Sequence, residues 1–386
     1  MAKRKHVVLA LDLMWPYKRH HGVFAGTQQY AEQCGTWDCS IDEYAVKLLD
    51  PEYGGPPCDG IIARATPQLA AEAKRLSIPL VNVWTSSPVT DVPLVTPNYA
   101  SAGRIAAEHL IARGFRNFGF MGYSHKFEPQ RNGFTTTLAE AGFSHSTFTV
   151  PGNYRHGSAA WDKFLTQMDE WIDSWTLPIG ISVSYDLLAR YLACACRRKG
   201  VAIPEDAALI GSHNETVICL AEPSLTSIEI GYERVGYRAA ELLDQMMDGA
   251  EAPTKPIILE PTGLIPRRSS DALAVDDPLV AQALRYTSEN SHKLIRVDDI
   301  AAAVHVNRRT LERRFRSVLG RSVTDEIMRL RVERVKRQLV ESKTSLKILA
   351  IEAGFGDAAH MLAIFKRIEG TTPSAYRREH RRDDNK

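Results

Sequence analysis

Two stretches of this chain carry the same apolar pattern about fifty residues apart, and that repetition limits the C-terminal fold more than any other feature. Ile300, Ala301, Val304, His305 and Val306 recur 49 residues later as Leu349, Ala350, Ala353, Gly354 and Phe355; Leu311 and Phe315 recur 50 residues later as Met361 and Phe365. Each copy reads as a short helix, a turn and a second helix with an inward i, i+4 pair, and the turn of the second copy is one residue longer. Asn307 is a good N-cap for the second helix of the first copy. Helix, short turn, helix is the layout of DNA-binding proteins, and two copies are far harder to reach by chance than one. The predicted units are 297–315 and 346–367. Val323–Val340 reads as the helix that joins them, with Val323, Ile327, Leu330 and Leu339 inward and many arginines outside.

Charge follows the same division. Residues 278–386 hold 23 Lys and Arg against 14 Asp and Glu, a net of +9, while the rest of the chain holds 25 against 32, a net of −7. An acidic body with a basic end suggests a polyanion partner for that end, although a solvated basic face would have the same composition.

Residues 6–267 have a different texture. Unbroken apolar runs at Val7–Leu11, Asp59–Ala63, Pro79–Val83, Phe118–Met121, Ile179–Val183 and Ala208–Gly211 alternate with helical stretches at Gly22–Cys34, Pro67–Leu76, Ser101–Arg113 and up to Arg198. Such alternation predicts α/β lobes with doubly wound parallel sheets, and this length holds two of them. Ligands in these sheets bind beyond the carboxyl ends of the strands, which singles out Trp84, Tyr123, Ser124, Tyr185, Asp186, His213 and Asn214. Aromatic rings with a few polar groups suit a small sugar; an ordinary loop or core role is the alternative at each position.

The run Val95–Gly103 ahead of Ala106–Gly114, then Arg131-Asn132-Gly133-Phe134, Leu209–Asn214, Pro223–Ile228 and Pro266–Ser270, resembles the effector domain of the LacI/GalR repressors. The resemblance spans about residues 6–270 and implies a periplasmic-binding-protein-like clamp. It implies effector contacts by Trp84, Asn98, Arg131, Tyr185, Asp186 and His213, with Arg131 clamping hydroxyls through its planar fork and Asp186 accepting their protons. Pro97 and His213 stand where that family usually has Asp, which alters the hydroxyls that can be read. The DNA-binding headpiece of such repressors has no counterpart in the six residues before the first strand, so the reader must lie elsewhere. The expected division is an effector domain at 1–269, a linker at 270–277 and a DNA-binding domain at 278–386.

Ile348–Arg367, with Ala353-Gly354-Phe355-Gly356-Asp357 and Phe365-Lys366-Arg367, followed by Gly370–Arg377, is similar to the signature of the AraC/XylS regulators. This resemblance covers about 278–378. It implies an all-α double helix-turn-helix domain that contacts operator DNA through Asn307, Arg308, Arg309, Glu312, Arg313, Asp357, His360, Lys366 and Arg367. Arg309, Glu312 and Arg313 fall at base-reading positions, where Arg suits guanine and Glu suits cytosine. The second recognition helix offers Ala358, Ala359, His360 and Ala363 outward, and is expected to hold phosphates through Lys366 and Arg367 more than to read bases. Together the two resemblances imply a cytoplasmic, sugar-responsive activator. Its effector would be xylose or a related pentose, and it would act as a homodimer with RNA polymerase as a partner, without cofactor or metal.

Other classes are less well supported by motif. The six cysteines form no Cys-x-x-Cys pair and no zinc spacing, so reduced structural thiols are expected. The apolar run after the basic start is five residues long, short of the roughly 7–15 of a signal peptide, and no stretch reaches the roughly 18 of a membrane span. An enzyme fused to a reader would need a catalytic constellation, and neither a Gly-x-Ser-x-Gly elbow nor a Walker loop is present. The pair His20-His21 is read as surface loop. A constitutive regulator with a vestigial clamp is the remaining alternative, kept open by Pro97 and His213.

Overall fold

Strands whose side chains are apolar at every position must be covered on both faces, and Val7, Val8, Leu9, Ile61, Ile62 and Val81 are all at or below 1% exposure in the computed structural model. That structure describes residues 4–14, 18–43, 45, 58–123, 128–151, 157–272, 274–275, 277–341 and 344–380. The chain divides into two compact units, with the boundary between Asp271 and Ala272.

The first unit has two lobes. In one, β1 (Lys5–Ala10), β2 (Trp37–Ile41), β3 (Gly60–Ala63) and β4 (Leu80–Asn82) pair in the order β2-β1-β3-β4, all parallel. In the other, β6 (Asn117–Tyr123), β7 (Ser146–Val150), β8 (Ile179–Val183), β9 (Ala207–Ser212), β10 (Thr226–Glu229) and β12 (Gly263–Ile265) pair in the order β12-β10-β9-β8-β6-β7. The strands expected from sequence fall within this pattern, with one difference: β12 runs antiparallel to β10. A parallel pair, β5 (Val95–Pro97) and β11 (Ile257–Leu259), lies where the chain passes between the lobes.

Helices α1 (Lys18–Cys34) and α2 (Pro67–Arg75) belong to the first lobe. Helices α3 (Tyr99–Ala112), α4 (Glu128–Glu140), α5 (Ala159–Asp173), α6 (Asp186–Arg198) and α7 (Thr216–Leu220) belong to the second. Helix α8 (Tyr232–Met247) returns to the first lobe and packs on α1. Two helix pairs approach backbone to backbone. A Cβ on Gly26 of α1 would lie 1.8 Å from the Glu233 carbonyl oxygen, and one on Gly133 of α4 would lie 1.9 Å from that of Ala100 in α3. The Gly133-Phe134 step of sequence is therefore a packing requirement: Phe134 is fully buried beside Leu138.

The second unit is all helical: α9 (Pro278–Asn290), α10 (Val297–Ala303), α11 (Arg308–Leu319), α12 (Val323–Glu341), α13 (Leu346–Glu352), α14 (Ala358–Glu369) and α15 (Pro373–His380). It has two small cores. Ile300, Leu311, Phe315 and Val323 centre the first; Leu349, Phe355, Met361 and Phe365 centre the second. The connecting helix α12, read with many arginines outside, also holds two charged residues inside. Arg331 is 4% exposed and donates from Nε to the Ser291 carbonyl at 3.1 Å and from Nη2 to that of Lys293 at 2.8 Å. Glu326 is 1% exposed, and Arg321 and Arg329 both bind its carboxylate. A buried charge is tolerated only when paired or hydrogen-bonded, and both are.

Candidate effector cleft and nucleic-acid interface

At the seam between the two lobes of the first unit, strand ends and helix starts bring aromatic rings and guanidinium groups together. Arg64, directly after β3, lies 4.5 Å over the Trp84 ring, which follows β4. Burial, then the neighbouring Arg19 charge, depresses the Arg64 guanidinium, with Asp12 opposing the shift. Arg19, in the first turn of α1, lies 5.7 Å over the Tyr232 ring. The Tyr232 hydroxyl is 2.9 Å from that of Tyr99 and 2.8 Å from His213 Nδ1. The His213 ring in turn lies 4.3 Å from Tyr185, whose edge meets Tyr123 at 6.3 Å. Burial, followed by the Arg19 charge, holds the His213 imidazole well below the usual histidine range, so the ring is neutral at physiological pH.

Of the residues singled out at strand ends, Tyr123, Tyr185 and His213 gather into one cluster, and Trp84 packs under Arg64. Ser124 lies outside the described residues. Arg19, Arg64, Tyr99 and Tyr232 were missed. Arg64 obeys the same strand-end rule as Trp84; Tyr99 and Tyr232 open α3 and α8 where the chain changes lobe, a position the sequence pattern does not mark. His20, expected on a surface loop, is 3% exposed, with Nδ1 2.6 Å from the Asp12 carbonyl.

Three expected effector residues do other work. Arg131 lies on α4 with Glu128 as an ion-pair partner at 3.5 Å, and is not brought to the aromatic group. The inward residue is its predecessor Gln130, fully buried, donating from Nε2 to Ser212 Oγ at 2.7 Å. Helical geometry explains the error, since one residue rotates a side chain by about 100°. Asn98 caps α3, its Oδ1 accepting from the Ser101 N–H at 3.0 Å while Nδ2 donates to Glu260 at 2.8 Å. It thus ties two of the passages between the lobes.

Asp186 is fully buried, and both its oxygens are occupied: Oδ2 accepts from the Glu215 N–H at 2.8 Å and Oδ1 from the Ser227 hydroxyl at 2.6 Å. It braces the loop that presents His213 and Asn214, which hold left-handed φ of 91° and 52°. Burial pushes its carboxyl up to about 7 from an ordinary 3.8. Between those values the folded chain keeps a proton that the unfolded chain has released, so this group makes stability fall as pH rises through that window. Unfolding titrations from pH 4.5 to 7.5 should show the wild type losing stability with pH relative to Asp186→Asn; parallel curves would refute it.

In the second unit α11 is capped by Asn307, as expected, and α14 by Asp357, a residue expected among the DNA contacts. Asn307 Oδ1 accepts from the Thr310 N–H at 2.8 Å, and Asp357 Oδ1 from the His360 N–H at 2.7 Å. Arg308, Arg309, Arg313, His360, Lys366 and Arg367 are exposed, and Glu312 is half-buried. Arg308 pairs with Asp298 at 3.4 Å, and the His360 ring meets the edge of Phe355 at 5.7 Å. The turns differ as the repeat predicts, four residues (304–307) against five (353–357).

The left-handed position of each turn is His305 (φ 56°) or Gly354 (φ 82°). A Cβ on Gly354 would lie 2.4 Å from the Ser291 carbonyl oxygen, so Gly354→Ala should cost well over 1 kcal/mol, combining strain with overlap. His305→Gly should be nearly neutral. Relief of about 1 kcal/mol of left-handed strain is offset by roughly 0.4–1 kcal/mol of added freedom in the unfolded chain. Denaturant unfolding of both variants checks the contrast; equal losses would refute it.

Comparison with known proteins agrees with both halves. Residues 107–270 match the periplasmic binding protein-like domain family and residues 300–379 a helix-turn-helix domain family. The xylose operon regulatory protein of Escherichia coli K12 is 27% identical over 394 residues, covering 97% of each chain. An AraC-like transcription regulator of Streptomyces antibioticus is 33% identical over 102 residues, 26% of this chain and 34% of its own. A solved structure of the xylose-binding transcription activator XylR superposes with a TM-score of 0.74 at 24% identity, over 99% of this chain and all of that one. A periplasmic binding protein-like domain at 107–270 followed by a helix-turn-helix domain at 300–379, with likeness to a xylose operon regulatory protein along 97% of the chain, makes this a sugar-responsive, DNA-binding transcription regulator.

Proposed function

We propose that this regulator is a cytoplasmic, sugar-responsive activator of a pentose-utilisation operon, with xylose or a close relative as its effector. The observation that carries the reading is the set of groups at the lobe seam: Arg64 lies over Trp84, Arg19 lies over Tyr232, and the Tyr232 hydroxyl meets Tyr99 and His213, whose ring packs on Tyr185. Rings that stack on a pyranose face and guanidinium groups that donate to hydroxyls are what a small polyol requires. Ligand bound to both lobes favours one lobe arrangement, and its differential affinity sets how far that equilibrium moves. In a homodimer the change would alter how two readers sit on adjacent half-sites, and so the recruitment of RNA polymerase. The names of the relatives support a xylose-class effector, and their role as transcription regulators supports a chain without catalysis of its own. No helix among the described residues is long and apolar enough to cross a membrane.

The test is a thermal-shift screen of the full chain against pentoses and hexoses. A true effector at a hundred times its dissociation constant should stabilise by roughly 2.7 kcal/mol. Absence of a shift with every pentose, alongside normal operator binding, would favour the constitutive alternative.

A further inference from the structure

The repeat register pairs every residue of α11 with one fifty positions later in α14. The inward residues correspond and are all fully buried: Leu311 with Met361, Phe315 with Phe365. On the opposite side Arg309 and Arg313 correspond to Ala359 and Ala363, and all four are exposed. Beside them Glu312 corresponds to Leu362, which is 38% exposed. Where the first recognition helix presents two guanidinium groups and a carboxylate, the second presents two methyl groups and an isobutyl group.

The helix-turn-helix match covers both helices, so the ligand of this surface is DNA. The nearest polar candidate on α14 is His360, and its ring is engaged with the edge of Phe355. Apolar side chains neither donate nor accept hydrogen bonds. The one apolar group on a major-groove base edge is the C5 methyl of thymine. Short side chains also let the helix backbone come close to the groove floor. Lys366 and Arg367, exposed in the last turn of the same helix, supply the phosphate attraction that holds it there.

We propose that Ala359, Leu362 and Ala363 make the second recognition helix a reader of thymine methyl groups, so that one part of each half-site is specified by guanines and the other by thymines. The proposal rests on the DNA-binding reading of this unit. It replaces the expectation that α14 holds phosphates more than it reads bases.

The experiment starts from a site enriched from a randomised duplex library by the full-length protein. Each thymidine in it is then replaced singly by deoxyuridine, which removes only the methyl group. One to three thymines, outside the positions whose preference Arg313→Ala relaxes, should each lose about fourfold in affinity, the value of one buried methyl group. In Ala363→Gly the thymine-to-uracil ratio at one of these positions should fall toward one. That ratio is internal to each variant, so a general loss of helix stability does not mimic it. Uniform tolerance of uracil outside the Arg313 positions, or an unchanged ratio in Ala363→Gly, would overturn the proposal. Enrichment of no sequence at all would overturn the DNA-binding reading with it, and is told apart by that result.

Discussion

Operator affinity of the full chain is expected to fall roughly 150-fold when monovalent salt rises from 50 to 200 mM. The figure comes from sorting the cations of the reader by what already occupies them. Arg321 and Arg329 are committed to Glu326, Arg331 to two backbone carbonyls, and Arg314 to Asp277 at 2.7 Å. Arg309 and Arg313, exposed on α11, are the two expected to read bases and are left out of the phosphate count. Arg308, whose long pair with Asp298 at 3.4 Å is exposed on both sides and worth little, is available to phosphates together with Arg316, Lys366 and Arg367, all exposed on the recognition helices. Each phosphate neutralised contributes about −0.9 to the slope of log affinity against log salt, so four give about −3.6 per protomer, and two bound protomers would double it. Lys366→Ala should reduce the slope by about 0.9 while weakening all sequences alike. Arg329→Ala should lower stability, through an uncompensated share of Glu326, and leave the slope alone. Filter-binding or anisotropy titrations at four salt concentrations test this. A slope near zero would mean that these cations do not touch DNA.

The reader was legible in sequence to the level of individual caps because it is a repeat. Two copies constrain each other, so the Asn307 cap, the inward phenylalanines and the longer second turn could be fixed without a third dimension, and the same register would have marked Asp357 as the matching cap. The connecting helix was less legible. Arg331 and Glu326 look like solvated charges until the structure places Ser291, Lys293, Arg321 and Arg329 around them, and those partners come from 3 to 40 residues away. The effector unit divides in the same way. Strand ends are marked by apolar runs, and so Trp84, Tyr185 and His213 could be named. Arg19, Tyr99 and Tyr232 meet only because α1, α3 and α8 start at one seam, which no local pattern encodes. Asp186 illustrates the opposite error: an acid at a strand end reads as a ligand group, yet its neighbours Ser227 and Glu215 consume both oxygens in holding the loop.

Arg19→Met is expected to weaken effector binding by about 10- to 150-fold, whereas Arg131→Met should leave it within about twofold. A hydrogen bond from a charged donor contributes roughly 1.5–3 kcal/mol, and a bound polyol loses that when the guanidinium is replaced by an unbranched apolar chain. Arg19 reaches the seam from the first turn of α1 and stacks over Tyr232, whose hydroxyl lies against His213 and Tyr99; a ligand touching any of these meets it. Arg131 is one residue past the inward Gln130, with Glu128 for a partner, so its loss removes a surface pair worth little. Methionine keeps the unbranched stem of the side chain and much of its packing, which separates the loss of donors from the loss of fold. Unfolding temperatures measured without ligand control for the remainder. Calorimetry with the sugar that gives the largest thermal shift decides between the two arginines: an unchanged dissociation constant in Arg19→Met, with a large loss in Arg131→Met, would return the hydroxyl clamp to α4 and make the α1 guanidinium a structural prop for the tyrosines.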